Sequence, residues 1–327
     1  MKISMNVPAV ILFFGLFGLT PALTPADRWP TNESEFAGLM KSVSNWGRWG
    51  PRDELGALNL IAPQKRKQAA TEVRQGVPIS LSRKLSGNAG DERFQHQMLR
   101  TGDQEGSTGS ADSYSFRYHG YTITHLDALC HQFFDGRMYN DFSPKSVTAK
   151  GAGRLAVLNM QQGIFTRGVL VDLPALAGER YLDSRRAIYP EDLDKWEKQT
   201  GVRIASGDAV LIRTGSWARA AAEGQWKVEA GSAGLHASAM QWFRKRDVAA
   251  FGSDLALDVL PSRVAGISMP VHLLAIIAMG APVLDNLDLE ALSDAAKKRG
   301  RWTFLLTVAP LAVDGGTGSP VNPIAYF

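Results

Sequence analysis

The sequence HGYTITHLDALCH, which runs from His119 to His131, holds three of the six histidines of this 327-residue chain. If the segment from Tyr118 to Asp127 is a β-strand, His119, His125 and Asp127 share one face, because side chains alternate along a strand. His125 and Asp127 would then lie about 6.5–7 Å apart and reach one ion from the same side. His131 follows on the next turn. Imidazole and carboxylate groups without thiolates suit Zn or Mn, so this stretch is either a metal site or a histidine-rich strand without metal.

Strand and helix patterns flank this stretch. Residues 78–82 alternate between apolar and polar, and later apolar runs are typical of buried strands: 168–173, 209–214, 249–254 and 302–308. Helical patterns cover residues 62–75, 237–247 and 272–279. Residues 86–113 are polar and rich in glycine, which predicts a long loop. Strands mixed with helices predict an α/β (mixed α+β) domain around a buried sheet.

The composition narrows the class of protein. Hydrophobic residues make up 45% and charged residues 21%, which is typical of a globular chain. The net charge of +4 is spread along the sequence without a basic run, which argues against a nucleic-acid partner. The single cysteine, Cys130, excludes an internal disulfide. Its apolar neighbours indicate a buried small side chain, with a nucleophilic role as the alternative.

The N-terminus has the pattern of a secretory signal peptide. Lys2 precedes an apolar segment at residues 7–19, which is shorter than the ~20 residues of a membrane span, and small residues follow. We therefore expect a signal peptide at residues 1–25, with cleavage within residues 22–26. The mature protein would be periplasmic or secreted, without stable membrane insertion. An uncleaved N-terminal anchor is the alternative.

The segment from Thr124 to His131 resembles the second half of the hallmark motif of the cyclase-like amide hydrolases, His-x-Gly-Thr-His-x-Asp-x-x-x-His. This family includes bacterial kynurenine formamidase and isatin hydrolase. Further segments resemble the family in the same order: 53–60, 212–215, 252–258, 270–272, 284–287 and 315–320. The resemblance implies a swivelling β/β/α cyclase-like catalytic domain at residues 85–327. It also implies an N-terminal extension at residues 26–84 that packs on this domain.

The resemblance implies roles for individual residues. His125 and Asp127 would bind a divalent metal, Zn or Mn, and Asp127 could bridge two ions. His272 would be a further ligand. Asp285 stands where the family usually has a bridging glutamate. His131 would donate and accept the proton during catalysis.

The sequence departs from the family at the first histidine of the motif. The family places it four residues before His125, where this chain has Tyr121. His119, six residues before, has the same parity on the strand and could substitute if the strand bulges. Otherwise the site loses a ligand and holds one ion rather than two. In the later motif, Ala256 replaces the family's serine.

The expected activity is hydrolysis of a small amide, lactam, N-formyl amine or ester by metal-activated water, with arylformamidase-like chemistry. An exported metal- or ligand-binding protein without turnover is one alternative, and a metal-dependent cyclase or dehydratase is another. The partner is a small-molecule substrate, and the family suggests a homo-oligomer. Four aromatic residues are candidates for a pocket wall, although core packing is the default for each: Trp46, Trp49, Phe133 and Phe134.

Overall fold

The computed structural model describes residues 29–86 and 93–327. The expected signal peptide and its cleavage site lie outside these residues. Within the described ranges, no helix is long and apolar enough to cross a membrane.

Eight α-helices occur along the described chain. They are α1 (Glu33–Val43), α2 (Pro63–Ala70), α3 (Leu173–Ala177), α4 (Pro190–Thr200), α5 (Ser216–Glu223), α6 (Ala239–Arg244), α7 (Pro270–Leu273) and α8 (Glu290–Arg299). A π-helix, Leu274–Met279, continues α7. Short 3₁₀ helices cover Gly56–Leu60, Tyr139–Asp141, Pro144–Ser146, Val157–Met160 and Val228–Ala230. The helix expected at residues 62–75 is α2, which covers only Pro63–Ala70.

The strands are numbered in chain order. They are β1 (Pro78–Ser80), β2 (Phe94–Arg100), β3 (Ala111–Phe116), β4 (His125–Asp127), β5 (Val147–Thr148), β6 (Gly151–Ala152), β7 (Ile164–Asp172), β8 (Ala187–Ile188), β9 (Ala209–Arg213), β10 (Gly234–Leu235), β11 (Ala250–Ser253), β12 (Val283–Asp285), β13 (Thr303–Val308), β14 (Gly318–Pro320) and β15 (Ile324–Tyr326). The four apolar runs of the second half are confirmed as β7, β9, β11 and β13.

Nine of these strands form one sheet in the order β1-β15-β13-β7-β9-β11-β12-β4-β14. The central strands β7, β9, β11 and β12 are parallel, and antiparallel strands complete both sides. The parallel strands β9 and β11 are buried along their whole length, which explains why they are continuous apolar runs in the sequence. The predicted mixed α+β fold class is confirmed.

The strand predicted at residues 118–127 is wrong over most of its length, since only His125 to Asp127 are extended in a ladder. Side chains from elsewhere bind the carbonyl groups of the preceding segment, so these carbonyls are not paired with a neighbouring strand. Asn286 Nδ2 donates to the oxygens of Gly120 and Ile123, and Arg83 donates to the oxygen of Thr122. The segment therefore bends. The alternation of side chains along a strand does not reach back to His119, so it does not decide which way His119 points.

The loop predicted at residues 86–113 is wrong at residues 94–100 and 111–113, because β2 and β3 form an antiparallel hairpin, and residues 87–92 of this prediction lie outside the described ranges. Most of its side chains are exposed on both faces, so the apolar alternation that indicates a strand is weak. Phe94 is the buried residue of β2, and its ring packs 5.2 Å from that of Phe116. The hairpin ends at the segment that carries His119.

The N-terminal residues pack closely on the sheet domain. Asn45 donates to the oxygen of Met279, and Lys65 forms an ion pair with the buried Asp208 at 2.5 Å. Gly56 has φ +59°, and a Cβ there would lie 2.1 Å from the oxygen of Gly280. Only glycine fits this close approach. The boundary at residue 84 between extension and catalytic domain stays a prediction.

Candidate metal centre

Strand β4 positions the first candidate ligands. It lies between β12 and β14, and its register places His125 opposite Asp285 of β12. His125 and Asp127 are two residues apart, so all three side chains lie on one face of the sheet. Each of the three is buried. The antiparallel register of β4 and β12 therefore brings residues 160 positions apart in the sequence to one side of the sheet.

The inner group consists of His125, Asp127 and Asp285. One ligand atom from each lies within 4.8 Å of the others, a spacing that one metal ion can span. His125 Nδ1 lies 2.8 Å from the oxygen of Ile123, to which it donates. In the neutral ring this bond leaves the lone pair on Nε2, which lies 3.3 Å from Asp127 Oδ1, although Asp127 and Asp285 raise the pKa of His125 against the effect of burial. The imidazole is thus oriented as a metal ligand.

The outer group consists of His119, Asp127 and His131. His119 Nδ1 lies 3.0 Å from Asp127 Oδ1, and His131 Nε2 lies 3.8 Å from Asp127 Oδ2. The two imidazole rings stack with centroids 3.8 Å apart and planes 8° from parallel. Their side chains are 30% and 23% exposed, against 1% for Asp127. The outer group therefore opens to solvent, and Asp127 belongs to both groups.

His272 is held next to the inner group at the start of α7. Its Nε2 lies 3.0 Å from Asp285 Oδ2, and its Nδ1 lies 2.6 Å from Asp258 Oδ2. Asp258 also accepts the backbone N–H groups of Val271 and His272. A carboxylate on Nδ1 is the usual outer partner of a metal-binding histidine, because it fixes the ring and raises its basicity.

The donor atoms fit a divalent cation. Among the described residues, Asp127 Oδ1 and Asp285 Oδ1 are buried without a hydrogen bond, although Asp127 Oδ1 lies within 3.3 Å of two imidazole nitrogens. Buried carboxylate oxygens are costly to leave unsatisfied, and a metal ion would satisfy both. Nitrogen and oxygen donors without sulfur match Zn or Mn.

The surroundings shift the pKa values of His131 and His272 in opposite directions. Burial lowers the pKa of His131 to about 4, and the neighbouring histidines reinforce this effect against the attraction of Asp127. Burial acts in the same direction on His272, but Asp285 and Asp258 outweigh it and raise its pKa well above the ordinary value. Burial opposes ionisation of Asp127, yet His119 and His125 outweigh it and hold its pKa well below the ordinary range. Without metal, His131 is therefore neutral and Asp127 charged at pH 7.

The sequence pattern of a family described as putative cyclase matches residues 49–258, which is more than half of the chain. The chain belongs to this cyclase family. A solved structure described as a novel cyclase has 26% sequence identity and a TM-score of 0.78, and the match covers 88% of this chain and 99% of that one. The cyclase-like fold and the family resemblance are thereby confirmed. No curated protein matches the chain.

Two isatin hydrolases share the fold of this cyclase-family chain at lower similarity. Isatin hydrolase A from Ralstonia solanacearum has 21% identity and a TM-score of 0.55, with 79% of this chain and 93% of that one covered. Isatin hydrolase A from Labrenzia aggregata, bound to benzyl benzoate, has 22% identity and a TM-score of 0.56, with 79% and 94% covered. At this identity the likeness shows the fold alone.

His119 takes a place beside Asp127, although it is not at the family's histidine position. The bend after Tyr118 directs His119 Nδ1 to Asp127, and His119 Nε2 lies 3.1 Å from Thr317 Oγ1 of the closing loop. Tyr121 is in neither candidate ligand group. It is half-buried, and burial raises its pKa, with further contributions from Glu229 and Asp285. The six residues predicted for the site therefore lie together, with His125 and Asp127 on one strand face as expected and His119 beside them through the bend.

Other family-like segments have structural rather than catalytic contacts. Asp53 accepts hydrogen bonds from Gly56 and Tyr139, and Glu54 accepts from the backbone of Leu155. Asp254 accepts the N–H groups of residues 214–216, which closes the turn after β9. The sequence missed one specific contact, the bond of Asp258 to the His272 ring. The spacing of two aspartates before a Pro-Val-His segment is the signal that could have indicated it.

Two of the four aromatic residues predicted for a pocket wall line a cavity apart from the metal centre. Trp46 and Phe134 line a cavity of about 510 Å³ between α1 and the π-helix, and no residue of the inner or outer group lines it. Phe133 is exposed, and Trp49 packs against the core. His236 is buried, with Nδ1 2.8 Å from Ser238 Oγ. Cys130 is buried as predicted, and burial raises its pKa to about 12, so the thiol is poorly suited to nucleophilic attack.

Proposed function

We propose that this cyclase-family chain is a metal-dependent hydrolase of small amides, lactams, N-formyl amines or esters. The proposal rests on Asp127, a buried carboxylate that belongs to both His/Asp groups. The Oδ1 atom of Asp127 has no hydrogen bond. The isatin hydrolases with the same fold support the reaction class. We propose Zn or Mn as the metal, with the principal ion on His125, Asp127 and Asp285. His272 would complete this inner group from its position on Asp285.

A bound divalent ion would supply Lewis acidity, which lowers the pKa of a water ligand towards ~7 and polarises a carbonyl group. His131 is the residue of this chain that would move the proton. It is neutral at pH 7 because its pKa is about 4, and its Nε2 faces Asp127 at the exposed side of the centre. Its partly exposed ring lies next to the proposed metal ligand Asp127, where it can accept a proton from the attacking water and return it to the leaving nitrogen or oxygen.

The test combines metal content with turnover. Purified protein would be analysed for metal and assayed against matched amide, lactam, N-formyl amine and ester substrates. We expect at least one ion per chain and hydrolysis of one substrate class. His131→Ala should keep most of the metal and lose ~10²–10⁴-fold in kcat, the usual contribution of general acid–base catalysis. Loss of metal in this variant would make His131 a ligand instead.

The outcomes also separate the alternative functions. Bound metal without turnover would favour an exported metal- or ligand-binding protein. Elimination or ring closure without net hydrolysis would favour a cyclase or dehydratase. Arylformamidase-like specificity would require that N-formyl anilines are preferred over lactams and esters.

We further propose that the protein is exported and forms a homo-oligomer. Export rests on Lys2 and the apolar residues 7–19, and the oligomer rests on the family. N-terminal sequencing of periplasmic or secreted protein should give a first residue between 22 and 28. An intact Met1 on protein in the cytoplasm would contradict export. Light scattering on the mature protein measures the oligomer.

A further inference from the structure

A second polar cavity lies apart from the metal centre, between the end of the N-terminal extension and α5. It has a volume of about 350 Å³, and its charged or polar lining residues are Arg83, Lys84, Gln225 and Asp288. The Trp217 ring forms part of its wall. No histidine or aspartate of the inner or outer group lines it. We call it the Arg83 pocket.

Arg83 differs from the other arginines that stack on tryptophan rings in the described chain. Each of the three others also forms an ion pair with a carboxylate. Arg48 stacks on Trp49 and pairs with Asp247. Arg219 stacks on Trp226 and pairs with Glu223, and Arg246 stacks on Trp242 and pairs with Glu197. Arg83 lies 3.6 Å from the ring centre of Trp217, but among the described residues it forms no ion pair. Within residues 29–86 and 93–327 its guanidinium donates one hydrogen bond, to the oxygen of Thr122 at 3.1 Å.

The geometry of Arg83 is fixed before any ligand binds. Trp217 Nε1 donates to the oxygen of Leu287 at 2.8 Å, which holds the ring on which Arg83 stacks. Burial lowers the pKa of Arg83, and the charge of Asp288 opposes this effect. Within the described ranges only one N–H group of the half-buried guanidinium has a protein acceptor, and its planar fork suits a bidentate oxyanion.

We propose that the Arg83 pocket binds the carboxylate of a small organic acid. Arg83 and Lys84 carry two positive charges and Asp288 carries one negative charge, so the pocket favours a monoanion over a phosphate dianion. Ala220 and Ala221 supply an apolar wall for the body of the acid. Arg83 also contacts the residue before β4, because its backbone N–H donates to Thr124 Oγ1, next to His125. The inference does not depend on the proposed function.

The test uses benzoate and inorganic phosphate as probes on purified protein. Calorimetry and tryptophan fluorescence would be measured on metal-depleted protein, so that carboxylate binding to a metal ion does not contribute. We expect saturable benzoate binding that is tighter than phosphate binding. Arg83→Gln should weaken benzoate by about tenfold or more, because charge-assisted hydrogen bonds are lost. Trp217→Phe should remove the fluorescence response.

Arg219→Gln is the matched control, because Arg219 also stacks on a tryptophan but already pairs with Glu223. It should leave benzoate affinity unchanged. Lys84→Gln changes an exposed residue, so it tests the charge of the pocket even if Arg83→Gln does not fold, and it should weaken benzoate several-fold. Equal benzoate affinity in parent, Lys84→Gln and folded Arg83→Gln overturns the proposal. Tighter binding of phosphate than of benzoate overturns the assignment of a carboxylate.

Discussion

The inner and outer halves of the metal centre share Asp127 but are built differently. The ligands of the inner half lie on two paired strands and their side chains are buried. Asp258 orients the His272 ring through a contact with Nδ1. The outer half stands on a bend and a turn, and its two histidines are partly exposed. A ligand set on paired strands holds an ion in a fixed geometry, whereas open side chains can exchange protons and meet a substrate. The difference assigns metal retention to the inner half and proton transfer to the outer half.

The largest expected effect comes from Asp127→Asn, which removes the carboxylate that both halves share. Metal content should fall to background and activity with it, by more than the loss expected for His131→Ala. Elemental analysis and turnover on one preparation measure both. Asp112→Asn is the matched control, since Asp112 pairs with His96 at 3.1 Å on the exposed hairpin. A variant at position 127 with full metal content would break the assignment of a shared ligand.

Asp258→Asn should damage the inner half without removing a direct ligand. The His272 ring would lose its partner on Nδ1, and such changes typically cost ~10–100-fold in metal affinity or activity. Competition with a chelator measures the affinity. Asp254→Asn is the comparison, because Asp254 is equally buried but binds only the turn after β9. It should lower the thermal midpoint and leave the metal affinity of the folded protein unchanged. Equal metal affinity in both variants would remove Asp258 from the site.

The sequence predicted the parts of the site that depend on local spacing. His125 and Asp127 share a face because they are two residues apart on a strand, and His131 follows on the turn. The buried strands of the parallel centre were also predictable, because they are continuous apolar runs. These features need only the sequence within a few residues.

The remaining features depend on contacts between distant segments. The pairing of His125 with Asp285 is set by the register of β4 and β12, which no local pattern encodes. His119 reaches Asp127 because Asn286 and Arg83 bind the carbonyls of the bend. The hairpin of β2 and β3 was missed because polar residues occupy most of both faces.

His119→Ala should affect only the outer half. At saturating metal we expect two ions per chain in the parent and one in the variant, while at limiting metal both bind one. Because His131 is assigned to proton transfer, the second ion of the outer half would rest on His119 and Asp127, and the change leaves it only Asp127. Tyr121→Phe is the control at the family's histidine position, and it should keep the parent stoichiometry. Two ions in His119→Ala would show that His119 does not support the outer ion, and one ion in Tyr121→Phe would show that Tyr121 does.

The smallest expected effect is on the stability of the metal-free protein, and it isolates His131. Its pKa is about 4 in the folded protein against 6.5 in the unfolded chain, so the unfolded state binds more protons between these values. The free energy of unfolding should therefore decrease as the pH falls from 6.5 to 4. Above pH 6.5 the contribution of His131 to this free energy should not change. One pKa unit corresponds to about 1.4 kcal/mol, which for a partly exposed ring gives about 1–3 kcal/mol in total.

Urea denaturation with chelator at pH 6.5 and pH 4.5 measures the free energy of unfolding. His131→Asn should lose less stability than the parent over this interval, because Asp127, His125 and His272 titrate in both proteins. An equal loss would mean that the fold does not lower the pKa of His131.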